Sequence, residues 1–267
     1  MDRAARLKQT IRVITMETRH WLSYNKLAWT EPILSPPESS NEEPETYCRV
    51  IRENATIPVK TLLHLACGAG FLDSTFKKHF RVTGVDISPG MLEVAGELNP
   101  EVTYHLGDMR SVRLDETFDA VTIPDAIGYM TSREDLQKTL SAAYRHLKPG
   151  GVLLLVVHTK EEFRENNFVY TGARGDVQIT VFENNYIPDP QGDLYEATMV
   201  YLIRKKGDLE IVTDRHTIGL FNLETWMRLL REELGLQVQV MRLDHLYDAN
   251  LSEEGEYPLT MFVCIKN

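Results

Sequence analysis

The sequence predicts an α/β protein with a doubly wound, largely parallel sheet. Its first basis is alternation between apolar, strand-like runs and helix-like stretches. The strand-like runs lie near residues 61–66, 81–86, 102–106, 118–123 and 151–157, and the helix-like stretches near 70–79, 89–97 and 132–146. Such alternation produces parallel strands with helices on both faces of the sheet. The second basis is that Gly68, Asp86, Asp108 and Asp125 all follow strand ends, the edge at which such sheets bind ligands.

The alternation stops after Val157, and a different architecture is expected there. Residues 177–219 contain three runs rich in β-branched and aromatic residues, with turn signals at 188–192 and 207–208. They predict a three-stranded antiparallel insert. The core pattern then resumes with a helix near 222–234 and strands near 236–244 and 258–266. We therefore expect an N-terminal helical cap and linker over 1–60, a core over 61–161 and 220–267, and a β insert acting as a substrate lid over 162–219.

The N-terminal region has its own pattern. Leu7, Ile11, Ile14 and Leu22 recur among polar residues with helical spacing, which predicts an amphipathic helix within residues 1–29.

Composition limits the classes of function. A chain of 267 residues with 43% hydrophobic residues suits one decorated domain. The net charge of −10 disfavours a nucleic-acid partner, because a phosphate-binding face needs clustered cations. The three cysteines have no Cys-x-x-Cys spacing, which indicates a reducing compartment and no structural zinc. The longest aliphatic run, Val152 to Val157, is too short to span a bilayer, so we expect a cytoplasmic protein without a membrane partner.

The segment from Thr61 to Ser88 predicts a nucleoside site. It reads as a strand, a loop containing Gly68 and Gly70, a helix, and a second strand that ends at Asp86. Glycines let a backbone turn tightly and approach a ligand, and the acid can accept hydrogen bonds from a ribose diol. A dinucleotide fingerprint would need glycine or alanine at position 73, where Asp73 would repel a pyrophosphate. An adenosine-type ligand is favoured over NAD.

The glycine loop also resembles a known motif. His64, Ala66, Gly68 and Gly70 occupy the frame of the first motif of the class I S-adenosylmethionine-dependent methyltransferases, with His64 in place of an acid and Ala66 in place of a glycine. Four further segments resemble later motifs of that family in their usual order. They are Gly84–Ser88 followed by Met91 and Leu92, Leu106–Met109, Phe118–Val121, and Leu147–Val157. Shorter likenesses at Gly107–Arg110 and Ile127–Tyr129 are similar to amino-sugar N-methyltransferases.

The resemblance implies a fold, a cofactor and a binding site. The fold would be a Rossmann-like, seven-stranded sheet whose last strand is antiparallel, with the insert over the active site. The cofactor would be S-adenosyl-L-methionine. The expected cofactor-binding residues are Ala66, Cys67, Gly68, Gly70, Asp86, Ile87, Asp108, Met109 and Pro124. The resemblance also implies an N-terminal segment that closes over the site, with Tyr24 and Trp29 as candidates to line it.

Four residues are candidates for catalysis. Asp125 and Tyr129 follow the fourth strand of the core, where the family contacts the methyl acceptor. His158 ends the fifth strand, and His216 lies in the insert; histidine suits proton removal at neutral pH. Each also has an ordinary structural explanation, as a helix cap or a hydrogen-bonded core residue. Arginines at 174, 204 and 215 are candidates to bind an anionic group of the acceptor.

The expected function is methyl transfer from S-adenosylmethionine to nitrogen or oxygen of a small molecule. A monomer or homodimer is expected. Three alternatives stay open: a non-catalytic protein that binds S-adenosylmethionine or S-adenosylhomocysteine, a methyltransferase acting on protein or RNA, and an NAD-dependent oxidoreductase. The last is disfavoured because no Tyr-x-x-x-Lys pair follows the core.

Overall fold

The computed structural model describes residues 12–14, 21–36, 42–244, 248–252, 254 and 256–267. The strands are β1 (Arg12–Ile14), β2 (Thr61–Leu65), β3 (Arg81–Asp86), β4 (Thr103–Leu106), β5 (Phe118–Pro124), β6 (Leu147–Val157), β7 (Asn166–Arg174), β8 (Val177–Tyr186), β9 (Leu194–Lys205), β10 (Asp208–Gly219), β11 (Gln237–Leu243) and β12 (Leu259–Ile265). The α-helices are α1 (Glu31–Leu34), α2 (Glu42–Asn54), α3 (Asp73–His79), α4 (Pro89–Leu98), α5 (Arg133–His146) and α6 (Leu223–Met227). Shorter helical turns are 3-10 helices at Ala28–Thr30, Ala126–Tyr129 and Asp248–Asn250, and a π-helix at Arg228–Glu233 continues α6.

Seven strands form the core sheet in the order β11-β12-β6-β5-β2-β3-β4. Strands β2 to β6 are parallel where they pair, and β12 is antiparallel to both β6 and β11. This confirms the predicted doubly wound sheet with an antiparallel last strand. Every residue of β5 is buried, as expected for a strand covered by helices on both faces.

The sheet order locates a crevice. From β2 the chain proceeds outward to β3 and β4 on one side, while β5 and β6 lie on the other side of β2. The order therefore reverses between β2 and β5, which is the place where open α/β sheets bind ligands. Ala66 follows β2 and Asp125 follows β5, so both lie beside this crevice.

The second sheet is larger than the sequence predicted. It has the order β1-β10-β9-β8-β7, with four antiparallel strands rather than three and with β1 added parallel to β10. Strand β7 was missed because its apolar run, Phe168 to Tyr170, is short and is followed by Gly172. That glycine is needed because a Cβ would lie 2.1 Å from the carbonyl oxygen of Ile33 in α1.

The N-terminal region also differs from expectation. Residues 12–14 form β1 rather than part of a helix, because pairing with the open edge of β10 satisfies their backbone. The rest of the predicted helix, at residues 1–11 and 15–20, lies outside the described residues. Residues 22–27 form turns that lead into α1. In the described part of the chain, no helix is both long and apolar enough to cross a membrane.

Candidate active site

A cleft of about 720 Å³ opens at the crevice between β2 and β5. Its walls come from the carboxyl ends of the core strands, the N-terminal segment at residues 21–25, and β10. Seven of the nine expected cofactor-binding residues line it: Ala66, Gly68, Asp86, Ile87, Asp108, Met109 and Pro124. The volume is typical of a cofactor or small-molecule site.

Gly68 and Asp86 are hydrogen-bonded to each other in the wall of this cleft. The Gly68 N–H donates to Asp86 Oδ2 at 2.8 Å, and the Ser88 N–H donates to Asp86 Oδ1 at 2.8 Å. A carboxylate has about four lone-pair positions, so both oxygens can accept further hydrogen bonds. Burial raises the pKa of Asp86, while these two backbone donors oppose the shift. A Cβ on Gly68 would meet no atom within 4 Å, so the space above this residue is open.

Cys67 and Gly70 do not line the cleft. Cys67 is 5% exposed, and burial raises the pKa of its thiol well above the usual value. A Cβ on Gly70 would lie 2.7 Å from the Tyr104 hydroxyl and 2.8 Å from Asn99 Nδ2. Gly70 is therefore required for packing beneath the loop, and Cys67 is an inert buried thiol.

His64 and Asp73 pair with each other under the glycine loop. His64 Nδ1 lies 2.7 Å from Asp73 Oδ1, and the Tyr104 hydroxyl donates to Asp73 Oδ2 at 3.0 Å. Asn99 joins the network by donating to the Tyr104 hydroxyl and to the Gly70 carbonyl. Asp73 has 0% exposure. Its carboxylate points into the protein, so the expected repulsion of a pyrophosphate by Asp73 is wrong: the charge is held by His64 and Tyr104.

Asp108 already has a cationic partner. Arg110 Nε and Nη2 donate to its carboxylate at 2.6–3.0 Å, and Arg110 Nη1 donates to Asp135. The hydrogen bonds from Arg110 lower the pKa of Asp108 despite partial burial. Asp108 thus enters the cleft as an ionised, oriented acceptor.

Two residues beside the crevice have positive φ angles. Ala66 has φ +55° and Asp125 has φ +57°, although neither is glycine; the ψ of −47° at Asp125 lies outside the left-handed helical region. Such sparsely populated conformations cost about 1–3 kcal/mol each in a non-glycine residue. They occur directly after β2 and β5, on both sides of the site where the sheet order reverses. Strain of this kind is concentrated at functional sites.

A smaller cavity of about 160 Å³ adjoins the cleft. Tyr24, Asp125 and Tyr129 line both spaces and form the boundary between them. The remaining wall comes from the second sheet, the segment before β12, and β12 itself. Half of its residues are aromatic, namely Phe168, Tyr170, Tyr195, His216 and Tyr257, and the others are Glu183, Ala197, Met199, Ile218 and Leu259.

The two carboxylates of the smaller cavity are destabilised when charged. Desolvation raises the pKa of Asp125 to about 6, and nearby Glu43 and Glu183 add to this effect. Asp125 is exposed, and the space that it faces belongs to the two cavities. Desolvation also raises the pKa of Glu183, against hydrogen bonds from Asn185 and Tyr170. An organic cation in this cavity would stabilise both ionised carboxylates.

A series of hydrogen bonds connects the boundary between the two cavities to His216 and Asp214. The hydroxyls of Tyr24 and Tyr129 are 2.6 Å apart, and the Tyr129 hydroxyl is 2.6 Å from His216 Nδ1. His216 Nε2 lies 2.9 Å from Asp214 Oδ2. Ser23 donates to the same Asp214 oxygen from its backbone N–H and from its hydroxyl, both at 2.8 Å.

The sequence identified two members of this chain, Tyr129 and His216, as catalytic candidates. It considered Tyr24 only as a lining residue and missed Asp214 altogether. A usable signal was present: Asp214 and His216 are two residues apart in a strand, so their side chains lie on the same face.

The other candidates lie elsewhere. His158 is 8% exposed and lines neither cavity; its Nε2 is 2.6 Å from the Tyr257 hydroxyl, and burial lowers its pKa to about 4. Trp29 is 40% exposed and does not line the cleft. Of the three arginines, Arg215 lines the cleft and pairs with Glu196. Arg174 and Arg204 lie at the distant hairpin ends of β7 and β9 and line neither cavity.

No cluster of three or more potential metal ligands occurs among the residues that the structure describes.

Comparison with known proteins adds independent findings. Residues 62–151 match the sequence model of a methyltransferase domain. A dTDP-3-amino-3,6-dideoxy-α-D-glucopyranose N,N-dimethyltransferase from Streptomyces fradiae is 34% identical over 188 residues, which cover 68% of this chain and 71% of that protein. A malonyl-[acyl-carrier protein] O-methyltransferase from Serratia marcescens is 26% identical, over 79% of this chain and 82% of that protein. The solved structure of the sugar N-methyltransferase KedS8 from a Streptoalloteichus species has a TM-score of 0.73 and 23% identity, over 95% of this chain and 96% of that one.

Proposed function

Because the chain belongs to the class I S-adenosylmethionine-dependent methyltransferases, we propose that it methylates an amine nitrogen of a small molecule. The cofactor is S-adenosylmethionine. When bound, it supplies a methyl group on a positively charged sulfur; transfer forms a nitrogen–carbon bond while the carbon–sulfur bond breaks and its electron pair stays with sulfur.

The cleft suits this cofactor. We assign the ribose diol to Asp86, whose two oxygens keep free lone pairs. Gly68 leaves open space beside it, since even a Cβ there would meet nothing within 4 Å. Ile87, Asp108 and Met109 line the same cleft, and Asp108 is a suitable acceptor for the adenine amino group because Arg110 keeps it ionised. These contacts support a nucleoside that lies along the ends of β3 and β4.

The observation that carries the acceptor proposal is the charge of the smaller cavity. Asp125 and Glu183 are two carboxylates in a wall that combines aromatic and aliphatic side chains, and both have raised pKa values. An ammonium would relieve the repulsion between them, and the ring faces attract cations as well. A neutral hydroxyl would offer neither carboxylate a countercharge. The cavity therefore favours a nitrogen acceptor over an oxygen acceptor.

The size of the cavity favours a small acceptor. About 160 Å³ holds one sugar ring or one comparable group. A folded protein or an RNA would present its reacting group through a wider acidic surface, because the net charge of the chain is −10. The N,N-dimethyltransferase relative supports amino sugars as the first acceptors to examine.

The test is a panel of matched acceptors. Purified protein is incubated with S-adenosylmethionine and each acceptor, and S-adenosylhomocysteine formation is followed by mass spectrometry. The panel pairs dTDP-3-amino-3,6-dideoxy-α-D-glucopyranose with its 3-hydroxy counterpart, and simple cyclic amines with the corresponding alcohols. We expect turnover with amines and little with alcohols. Turnover with alcohols only, or binding of the cofactor without turnover of any acceptor, would overturn the proposal.

A further inference from the structure

We propose that Tyr24, Tyr129, His216 and Asp214 form a proton relay that removes the acceptor's proton. The inference rests on the proposed amine chemistry, because an ammonium has no lone pair and must lose a proton before it can attack. The relay connects the two cavities, where the acceptor would sit, to a buried base.

The direction of each hydrogen bond in the relay follows from Asp214, the member farthest from the acceptor. Asp214 is the acceptor at this end, because Ser23 donates to its Oδ2 from both its N–H and its hydroxyl. Burial raises the pKa of the Asp214 carboxyl, but hydrogen bonds from His216 and Ser23, with the charge of a protonated His216, lower it overall. A carboxylate can only accept, so His216 Nε2 carries the proton and donates to Asp214 Oδ2. In the neutral imidazole, Nδ1 is then the acceptor, and the Tyr129 hydroxyl donates to it.

The direction of the Tyr129–His216 hydrogen bond also fixes the direction of the Tyr24–Tyr129 hydrogen bond. Because the Tyr129 proton is directed at His216, the Tyr129 oxygen accepts from the Tyr24 hydroxyl. The Tyr24 oxygen keeps a lone pair, and Tyr24 lines both cavities. Burial raises the pKa of both phenols above the usual value, so both stay protonated and can pass a proton on without becoming phenolates.

The transfer is balanced in charge and in protons. The acceptor ammonium gives one proton to the Tyr24 oxygen, Tyr24 gives its own proton to Tyr129, and Tyr129 gives its own to His216 Nδ1. The Tyr24–Tyr129 and Tyr129–His216 hydrogen bonds reverse, while His216 Nε2 continues to donate to Asp214. The acceptor becomes a neutral amine, and His216 becomes an imidazolium paired with Asp214. The proton returns to solvent by the reverse path after the product leaves.

The burial of the base explains why a relay is needed. His216 has 0% exposure, and the Trp21, Tyr24 and Tyr129 rings pack around it with centroids 5.2–6.1 Å away. His216 also lines the smaller cavity, but Tyr129 occupies its Nδ1 and Asp214 its Nε2. A proton therefore reaches the imidazole through Tyr129. The residues that hold this chain come from three separate parts of the sequence: the N-terminal segment, the turn after β5, and β10.

Asp214 also fixes the position of the N-terminal segment. Asp214 accepts from the Ser23 N–H and hydroxyl, and the Ser88 hydroxyl donates to the Tyr24 carbonyl. Ser88 in turn donates its N–H to Asp86. Asp214 is therefore a positioning residue, which orients His216 and fixes Tyr24 at the boundary of the cavities.

The kinetic test uses hydroxyl deletions. Tyr24→Phe and Tyr129→Phe each keep the ring but break the relay, and Tyr186→Phe is the matched control, because Tyr186 is 51% exposed on β8 and lines neither cavity. With the panel amine that gives the highest wild-type turnover, we expect kcat to fall roughly 100-fold in each relay variant. The Kd for S-adenosylmethionine should change less than threefold in both relay variants, and the KM for the amine less than threefold in Tyr129→Phe. The KM for the amine should rise in Tyr24→Phe, because the Tyr24 oxygen accepts directly from the ammonium. The control should match wild type.

The double variant separates a relay from independent packing. If the two hydroxyls act in series, Tyr24→Phe combined with Tyr129→Phe should lose no more than either single variant. Two losses that multiply, or single losses below threefold, would overturn the relay.

A second measurement does not depend on any acceptor. In protein labelled with 15N-histidine and saturated with S-adenosylhomocysteine, the His216 resonances should show a protonated Nε2 and a hydrogen-bonded, unprotonated Nδ1. His216→Gln assigns them, and Tyr129→Phe should shift the Nδ1 resonance. A neutral His216 protonated at Nδ1 would overturn the relay, because that nitrogen could not receive a proton. Absence of amine turnover would instead refute the proposed function, while this spectrum still decides the direction of the chain.

Discussion

Replacing Asp125 by asparagine tests the charge of the acceptor cavity. The substitution keeps the shape of the side chain and removes its charge at the boundary between the two cavities. A hydrogen bond to a charged group contributes about 1.5–3 kcal/mol. Loss of that contribution corresponds to a roughly ten- to hundredfold rise in KM for an amine, with Kd for S-adenosylmethionine nearly unchanged.

The pKa of Asp125 gives this effect a pH dependence. Its folded-state value of about 6 lies above the ordinary 3.8, so the carboxyl becomes neutral as the pH falls through about 6. Amine affinity of the wild type should therefore weaken between pH 7 and 5, and that of Asp125→Asn should change less over the same range.

Ionisation of Asp125 should lower the free energy of unfolding, although it strengthens amine binding. Because the folded state holds the proton more tightly, ionisation of Asp125 costs stability as the pH rises through about 6. The difference from the ordinary value corresponds to at most about 3 kcal/mol. Water in the cavities screens an exposed carboxylate, so we expect about 1 kcal/mol. Without acceptor, Asp125→Asn should thus be more stable than wild type at pH 8 and show no such gain at pH 3.5.

The assays are steady-state kinetics with the panel amine, calorimetric titration with S-adenosylmethionine, and urea unfolding at both pH values. Asp208→Asn is a matched control, because Asp208 is exposed at the start of β10 and lines neither cavity. An unchanged KM in Asp125→Asn, or a loss confined to cofactor affinity, would refute the assignment of Asp125 to the acceptor.

Three further variants test the loop beside β2. Ala66→Gly should raise the free energy of unfolding by about 0.5–1 kcal/mol in urea titrations, because it relieves a left-handed backbone at φ +55°; a loss of stability would contradict this. Gly68→Val should weaken S-adenosylmethionine binding at least tenfold in calorimetry, since its side chain enters the open space of the cleft, and unchanged affinity would move the nucleoside elsewhere. Asp73→Asn should lower the unfolding free energy by about 2 kcal/mol, because it weakens charge-assisted hydrogen bonds from His64 and Tyr104; unfolding at the wild-type urea concentration would contradict a structural role for the pair.

The core fold could be predicted from patterns within short stretches of the sequence. The apolar runs near 81–86 and 118–123 became β3 and β5 with nearly the same bounds, because buried parallel strands are continuous apolar runs that differ clearly from helices. The ligand edge could also be located, since the carboxyl ends of parallel strands share one edge of the sheet.

The second sheet was harder to predict because its strands depend on distant partners. Strand β7 has only a short apolar run and includes Gly172. A glycine is needed at that position because the Ile33 carbonyl, from another part of the chain, approaches it closely. Strand β1 exists through parallel pairing with β10, about 200 residues further along the sequence. Neither partnership is visible in a local window.

The candidate site shows the same division. Gly68 and Asp86 could be assigned from the spacing of strand, loop and strand, and both line the cleft. The orientation of the Asp73 carboxylate could not be inferred, because it depends on hydrogen bonds with His64 and Tyr104 beneath the loop. The pairing of a tyrosine near the N-terminus with Tyr129 was likewise beyond the sequence, since it requires the N-terminal segment to dock against β10.

The most direct test of the central claim is the position of the transferred methyl group. The protein is incubated with S-adenosylmethionine carrying a 13C-labelled methyl and with an acceptor that contains both an amine and hydroxyls, such as dTDP-3-amino-3,6-dideoxy-α-D-glucopyranose, and the product is examined by 13C NMR. The acidic, aromatic cavity around Asp125 and Glu183 predicts a label on nitrogen. A label on oxygen, or an unchanged acceptor at saturating cofactor, would contradict the account.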